Sequence, residues 1–217
     1  TTTTIRTSGT GAVLNVGSLA PALGGTVNAA LGRLVIEAFG TNEILNVDDT
    51  GDATANIGML SATRITGFGM GDPDDGIEYS GVETLNLNLG IGGNSLFIIG
   101  SHSNTTVVNT GAGTGLVNRV YIGSVYNTVW TSSSLEDIAG NLTINGQATY
   151  NEITFDNGDA TAVGSGILTS TTFTHTAMSG NTALTNAITY NTFNVINVTL
   201  GDGNDNFYVS STPNGST

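Results

Sequence analysis

The sequence contains an internal duplication, and no other feature constrains the fold as strongly. Residues 58–70 read GMLSATRITGFGM and residues 166–178 read GILTSTTFTHTAM, with identities at a constant offset of 108. The segments that begin at Tyr79 and Tyr190 match again, now at an offset of 111. Self-similarity at a fixed period is typical of stacked repeats. We place the boundary near residue 104 and predict two units, residues 1–104 and 105–217.

Short apolar stretches divide each unit further. They are four to seven residues long, are separated by Gly, Asn, Asp or Ser, and recur mostly every ten to fourteen residues, for example around Leu87, Phe97, Val107 and Val117. Evenly spaced short strands with turn residues between them are typical of a sandwich, a barrel or a solenoid. Pro is scarce, with three residues in 217, and the many Asn and Thr residues suit side-chain ladders between stacked coils.

We therefore predict an all-β fold, specifically an elongated parallel β-solenoid (β-helix) of two tandem repeats. The abundance of Val, Ile and Thr supports this, because β-branched side chains pack well on a pleated sheet. One segment differs: residues 28–40 place apolar side chains at helical spacing and predict a short helix at the surface or as a cap.

The charge of the chain excludes several functions. Four Arg, no Lys and a net charge of −13 leave no basic surface for phosphates, which argues against binding to nucleic acid or to anionic membranes. No apolar run of about 18 residues exists, so we expect no membrane insertion. The absence of Cys excludes disulfides and thiolate metal sites. The Thr- and Asn-rich composition is similar to that of secreted bacterial surface repeats, and we expect an extracellular or cell-surface location.

The sharpest local motif is Gly201-Asp-Gly-Asn-Asp-Asn-Phe207. It resembles the nonapeptide of RTX (repeats-in-toxin) proteins, and the whole chain is similar in composition to degenerate RTX-like repeats of very long secreted bacterial surface proteins. The resemblance implies Ca²⁺ ligated by Asp205, with Asp202 as a further candidate and the two glycines shaping the turn. The family carries the motif in tandem, whereas it occurs once here. An ordinary glycine-rich corner is the alternative.

A second acidic group consists of Asp48, Asp49 and Asp52, and the second unit repeats the pattern with Asp156 and Asp159. Carboxylates at this spacing could hold Ca²⁺, so Asp48 and Asp52 are also candidate ligands. Asp is equally common in turns, because its side chain bonds its own backbone. Both interpretations stay open, and calcium is the one cofactor that we consider.

Catalytic motifs are missing from the sequence. His102 and His175 lie in different repeat contexts, the four Arg are scattered, and there is no nucleophile elbow, phosphate-binding loop or HExxH. We predict that the protein is not an enzyme. A carbohydrate-active β-helix enzyme is the least favoured alternative.

The chain ends supply the functional prediction. Written in order, the C-terminal and N-terminal segments reproduce the internal junction between the two units. Either the chain is an excerpt of a longer array or separate copies stack end to end. We predict a structural repeat unit of an extracellular bacterial filament, sheath or surface array that stacks head-to-tail with copies of itself. The alternative is a calcium-assisted adhesin or glycan-binding module, in which Trp130 and Tyr side chains would stack on sugars.

Overall fold

The computed structural model describes residues 1–71, 75–124 and 133–214. Within these ranges it contains eighteen strands and no helix, which confirms the all-β prediction. Accordingly, none of these residues belongs to a helix of the length and apolarity needed to cross a membrane.

In chain order the strands are β1 (Thr2–Thr7), β2 (Val13–Val16), β3 (Arg33–Ala38), β4 (Ile44–Asp48), β5 (Ile57–Leu60), β6 (Arg64–Gly67), β7 (Gly76–Ser80), β8 (Thr84–Asn88), β9 (Ser95–Ile98), β10 (Thr105–Asn109), β11 (Val117–Ile122), β12 (Asn141–Asn145), β13 (Tyr150–Asp156), β14 (Ser165–Leu168), β15 (Thr172–His175), β16 (Ile188–Asn191), β17 (Val195–Thr199) and β18 (Asn206–Val209).

These strands form two nine-stranded sheets. Sheet A has the order β1-β3-β7-β6-β5-β9-β11-β13-β17, and sheet B has the order β2-β4-β8-β10-β12-β16-β15-β14-β18. The chain crosses repeatedly from one sheet to the other, so most neighbouring strands are parallel. The antiparallel pairs are β5–β6, β6–β7, β14–β15 and β15–β16. The inner strands bury every second side chain, as the alternating burial of β8 and β11 shows.

The core lies between the two sheets. Alternate residues of each strand point inward, so that Leu85 and Leu87 of β8 are buried while the residues between them are partly exposed. Phe155 of sheet A stacks on Phe173 of sheet B with ring centroids 4.1 Å apart. These contacts hold the layers together, because burial of apolar area is the main stabilising contribution to folding.

The helix predicted within residues 28–40 is wrong. Residues Arg33–Ala38 form β3, which pairs in parallel with β1 on one side and β7 on the other. Ile36 and Ala38 are buried, whereas Val35 and Glu37, which alternate with them, are partly exposed. Two parallel partners satisfy the backbone and bury one face of the strand, and this tertiary context overrides the local helical spacing.

The duplicated segments occupy opposite sheets. The β5–β6 hairpin belongs to sheet A, and its sequence counterpart β14–β15 belongs to sheet B. Ile65 pairs with Ile77 in one unit, and the corresponding Phe173 pairs with Ile188 in the other. Within the described residues each unit contributes nine strands, and every strand of one unit belongs to the sheet that does not contain its counterpart. The unit boundary predicted near residue 104 lies between β9 and β10.

Candidate functional site

The first pair of candidate calcium ligands lies in the turn that follows β4. Asp48 and Asp52 are each 5% exposed. Asp48 Oδ2 accepts a hydrogen bond from Gly25 N at 2.8 Å, and its Oδ1 accepts one from Thr50 Oγ1 at 2.7 Å. These bonds attach the loop between β2 and β3 to the turn. Asp48 therefore organises backbone on both sides of the corner.

Both carboxylate oxygens of Asp52 accept hydrogen bonds from residues that closely follow it in the chain. Its Oδ1 accepts from Thr54 N at 2.7 Å and its Oδ2 from Asn56 Nδ2 at 2.9 Å. Burial acts to raise the pKa of Asp52, but hydrogen bonds from Thr54, Asn28 and Asn56 outweigh it and lower the pKa. This geometry supports the turn interpretation of the acidic group.

Asp49 is a buried acid that the sequence did not single out as a candidate. Its Oδ1 accepts from Val27 N at 3.1 Å, while its Oδ2 is buried without a hydrogen-bond partner. Burial, aided by the carboxylates of Asp52 and Asp48, raises the pKa of Asp49 to about 7 in spite of the bond from Val27. A carboxyl group with such a pKa is partly protonated at neutral pH.

The second pair of candidates lies in the corner between β17 and β18. Asp202 is exposed, and Asp205 Oδ1 accepts from Gly164 N at 2.6 Å. The Oδ2 atom of Asp205 is buried without a hydrogen-bond partner. The glycines of the motif pack against the segment that contains Ala160 and Ala162. A Cβ at Gly201 would lie 2.1 Å from the carbonyl oxygen of Ala160, and one at Gly203 would lie 2.5 Å from that of Ala162. These glycines are required by that close approach.

The structure does not bring the two candidate pairs together. Asp48 ends β4, which is next to the β2 edge of sheet B, whereas Asp202 and Asp205 precede β18 at the opposite edge. In the described ranges, with gaps at 72–74, 125–132 and 215–217, no three His, Cys, Asp or Glu residues are arranged to hold a metal ion.

The motif corner has an amide-containing counterpart in the first unit. Asn94 occupies the position of Asp205, and its Oδ1 accepts from Asn56 N at 3.0 Å, as Asp205 Oδ1 accepts from Gly164 N. The Nδ2 group of Asn94 donates to Gly90 O at 2.6 Å. A carboxylate cannot donate this second bond unless it is protonated. Asp205 therefore accepts the same backbone hydrogen bond as Asn94 but does not donate the second one.

Two further acids replace amides in the same way. Glu43 N donates to Glu83 Oε2 at 2.6 Å, and at the equivalent corner of the second unit Asn151 N donates to Asn194 Oδ1 at 2.9 Å. These carboxylates act as acceptors for backbone N–H groups, the task that side-chain amides perform elsewhere in the fold.

A row of amides lines one corner of sheet A. Asn118 is its most connected member: its Oδ1 accepts from Asn94 N at 2.9 Å, and its Nδ2 donates to Thr110 O at 2.9 Å and Gly111 O at 2.8 Å. Side-chain amides that bridge successive strands satisfy buried backbone groups at a corner where the sheet ladder stops. Sequence reasoning predicted Asn ladders in general, and the row consists of Asn56, Asn94, Asn118, Asn151 and Asn194.

The two histidines lie at separate places, His175 buried and His102 half-buried. The Nδ1 atoms of His102 and His175 accept from Asn104 N and Ala177 N, each at 3.1 Å, and both Nε2 atoms are buried without a hydrogen-bond partner. Burial lowers the pKa of both imidazoles, in His175 against the opposing effect of the Asp205 carboxylate. Neutral, buried imidazoles of this kind pack the interior.

Three of the aromatic residues proposed to stack on sugars can be assigned here. Trp130 lies outside the described residues. Tyr79 and Tyr190 are buried at equivalent positions, and their hydroxyls donate to the equivalent carbonyls of Ser61 and Thr169. Burial raises the pKa of both phenols. These two tyrosines are therefore structural, and their ring faces do not form a ligand surface.

A surface cavity of about 320 Å³ lies beside Tyr190, Phe193 and Pro213. Another, of about 220 Å³, lies beside Asn15, Pro21 and Asp48. Among the residues that line them, neither cavity has a nucleophile next to a base, and the second contains one carboxylate, Asp48.

The open edges of the sheets are the other functional feature. β1 and β2 lie at one end of the molecule, and β17 and β18 lie at the other. Among the residues that the structure describes, each edge strand has inward-pointing side chains that lack a covering strand: Ile5 is 39% exposed and Val209 is 60% exposed. Uncovered strand edges with apolar side chains favour pairing with another chain.

No family model, curated protein or solved structure matches this chain. The class of protein is accordingly defined by the fold alone. It is an all-β protein of two mixed, mainly parallel sheets, with structured acidic corners and two open ends.

Proposed function

We propose that this chain is a structural repeat unit of an extracellular bacterial filament, sheath or surface array. In this proposal the two sheets are the walls of a parallel β-solenoid made of two tandem repeats, and copies stack head-to-tail. The extracellular and bacterial parts of the proposal rest on composition and on the resemblance to RTX-like surface proteins. No catalytic activity is part of it.

The observation that carries the proposal is the contrast between the middle and the ends of the molecule. In the middle, the end of the first unit meets the beginning of the second, and the inward residues of the four strands there are at most 2% exposed. At the ends, the counterparts of these strands carry the same kinds of side chain without cover, with Phe207 and Leu14 half-buried and Val209 largely exposed. A second copy would give the ends the cover that the middle has.

The corners support a structural role as well. Carboxylates and amides exchange places between the two units while they keep the same backbone hydrogen bonds, as Glu83 and Asn194 illustrate. A residue whose task is to accept a backbone N–H can be either acid or amide, so this exchange is compatible with a structural role for these side chains.

The alternative function is a calcium-assisted adhesin or glycan-binding module. One observation favours it: the RTX-like motif places a buried, unpartnered oxygen of Asp205 in a corner rich in backbone carbonyls. Circular dichroism in EDTA tests it. Loss of the β-type spectrum that Ca²⁺ restores would support calcium-dependent folding, and an unchanged spectrum would contradict it.

Analytical ultracentrifugation over a range of protein concentrations, followed by negative-stain microscopy, tests the proposed function. We expect sedimentation coefficients that rise with concentration and rods that lengthen without a preferred size. A monodisperse monomer at millimolar concentration would contradict head-to-tail stacking.

A further inference from the structure

We propose that a second copy of this chain docks in one defined register: its β1 adds in parallel to β17, and its β2 adds in parallel to β18. This inference rests on the proposed head-to-tail stacking and specifies its partner, polarity and residue pairs. In the stack, sheet A continues into sheet A of the next copy and sheet B continues into sheet B.

The template is the junction between the two units inside one chain. There β8 pairs in parallel with β10, with Leu87 opposite Val108, and β9 pairs in parallel with β11, with Leu96 opposite Val120. These four strands belong to two different units but form continuous sheets. The junction therefore shows which strands of one unit cover the end of the unit before it.

The first transferred pair is β17 with β1. Val195 pairs with Glu152 as Thr84 pairs with Ile44, which makes β17 the counterpart of β8. Thr2 pairs with Arg33 as Thr105 pairs with Asn141, which makes β1 the counterpart of β10. The observed pair Thr84–Thr105 thus predicts Val195 opposite Thr2 of the next copy.

The second transferred pair is β18 with β2. Asn206 pairs with Ser165 as Ser95 pairs with Ile57, which makes β18 the counterpart of β9. Val13 pairs with Ile44, and Arg119 pairs with Glu152. Ile44 and Glu152 are equivalent positions of the two units, which makes β2 the counterpart of β11. The observed pair Ser95–Arg119 thus predicts Asn206 opposite Val13 of the next copy.

The side chains that would meet agree with this register. Inside the chain, Leu85 faces Thr106, the one hydroxyl among the eight inward positions of the junction. In the transferred register Ile196 faces Thr3, so the hydroxyl falls at the same place. The three other inward pairs are apolar in both junctions; the transferred ones are Val198 with Ile5, Phe207 with Leu14 and Val209 with Val16.

Charge favours the same polarity. Residues 1–16 contain Arg6 and no carboxylate side chain, whereas residues 195–209 contain Asp202 and Asp205 and no Lys or Arg. If two copies met through residues 195–209 of each, their carboxylates would come together, and like charges in contact are unfavourable. If instead residues 1–16 of one copy meet residues 195–209 of the other, Arg6 lies on the side that contains Asp202 and Asp205. A closed dimer through like ends is therefore disfavoured against a polar stack.

Cysteine cross-linking can test the register, because the chain has no Cys of its own. The variant Asn197→Cys with Thr4→Cys places two thiols at outward positions that the register sets opposite each other. The matched control is Asn86→Cys with Val107→Cys, the equivalent pair within one chain. In-register neighbours on adjacent strands lie about 4.8 Å apart, within the range for a disulfide, whereas a shift by two residues gives about 8 Å.

After mild oxidation we expect the control to form an intrachain bond and the junction variant to form a ladder of covalent multimers. Pairing Asn197→Cys with Thr2→Cys should reduce the multimers at least tenfold, and either Cys alone should give none. Rods without the predicted cross-link, or with a stronger one at Thr2, would overturn the register and leave stacking intact. Dimers from one Cys alone would overturn the polarity. A monomer with a normal control bond would overturn the register together with the proposed function.

Discussion

Asp49 and Asn157 occupy the same position in the two units and accept the same hydrogen bond. Asp49 Oδ1 accepts from Val27 N at 3.1 Å, and Asn157 Oδ1 accepts from Leu135 N at 3.2 Å. Both side chains are buried. The second unit thus has a neutral amide where the first unit has a buried carboxyl group. The amide accepts the same backbone hydrogen bond without the cost of burying a charge.

The first prediction follows from this pair: Asp49→Asn stabilises the protein above neutral pH. The pKa of Asp49 is about 7 in the folded protein, against 3.8 for the model carboxyl group. Well below pH 3.8 both states are protonated and Asp49 costs nothing, whereas stability is lost as the pH rises from 3.8 toward 7 and stays lost above it. We expect a gain of about 2 kcal/mol at pH 8, since one pKa unit corresponds to about 1.4 kcal/mol and relaxation reduces the full amount.

Urea unfolding at pH 4 and pH 8 checks this prediction. Asp202→Asn is the matched control, because it also removes one carboxylate but from an exposed position. A difference between Asp49→Asn and wild type that is the same at both pH values would contradict the raised pKa.

A second prediction concerns the corner of the RTX-like motif. Asp205→Asn restores the donor that Asn94 directs to Gly90 O at 2.6 Å, so the variant should be more stable by about 1 kcal/mol in EDTA. Thermal melting with and without Ca²⁺ measures both effects. We expect little response of the wild type to Ca²⁺. A large Ca²⁺-induced rise in melting temperature that Asp205→Asn abolishes would instead establish Asp205 as a ligand.

The third prediction separates inner from outer amides. Asn118→Ala removes bonds to three backbone groups in a buried corner and should cost about 3 kcal/mol, because the partners are left unpaired. Asn86→Ala removes an outward bond to Asn46 Oδ1 of 2.8 Å and should cost under about 1 kcal/mol, since water replaces it. Chemical unfolding compares the two, and equal costs would contradict a structural role for the corner row.

Sequence patterns predicted the strands and the duplication better than the layout of the fold. Alternation at Leu85 and Leu87 indicates a strand with one buried face, but nothing local shows that counterpart strands fall in opposite sheets. That layout follows from the odd number of sheet changes in each unit, seven between β1 and β10, which only the pairing reveals. The run Leu34-Val35-Ile36 fits a helix and a strand equally well, and its two parallel partners decide.

The candidate site was predictable in position and less so in detail. Asp48 and Asp205 were located in corners correctly, because Gly and Asp mark turns. The alignment of Asp52 with Asp159 is wrong: Asp52 N donates to Asp49 O at 2.9 Å, and it is Ala160 N that donates to the equivalent carbonyl at 3.0 Å. The constant offset of 108 that relates residues 58–70 to residues 166–178 also relates Asp52 to Ala160, and the hydrogen bonds define the same equivalence.

The fourth prediction tests the open end. Val209→Lys places a charge on an inward position of β18 that is 60% exposed in the single chain, so the fold should tolerate it. In a stack the same position is buried, and an unpaired Lys there should abolish assembly. Leu116→Lys, at a connector position in the middle of the molecule that is 42% exposed, is the matched control and should assemble as the wild type does. Light scattering reports assembly, and equal scattering from both variants would contradict the open-end account.

Cryo-electron microscopy of the wild-type chain at high concentration tests the central claim of head-to-tail stacking most directly. Each copy adds nine strands to each sheet. At about 4.8 Å between strands, a stack should therefore advance by about 43 Å per copy. We predict polar, unbranched filaments with this repeat and with β17 against β1 of the next copy. Isolated monomers, or closed dimers joined through like ends, would contradict it.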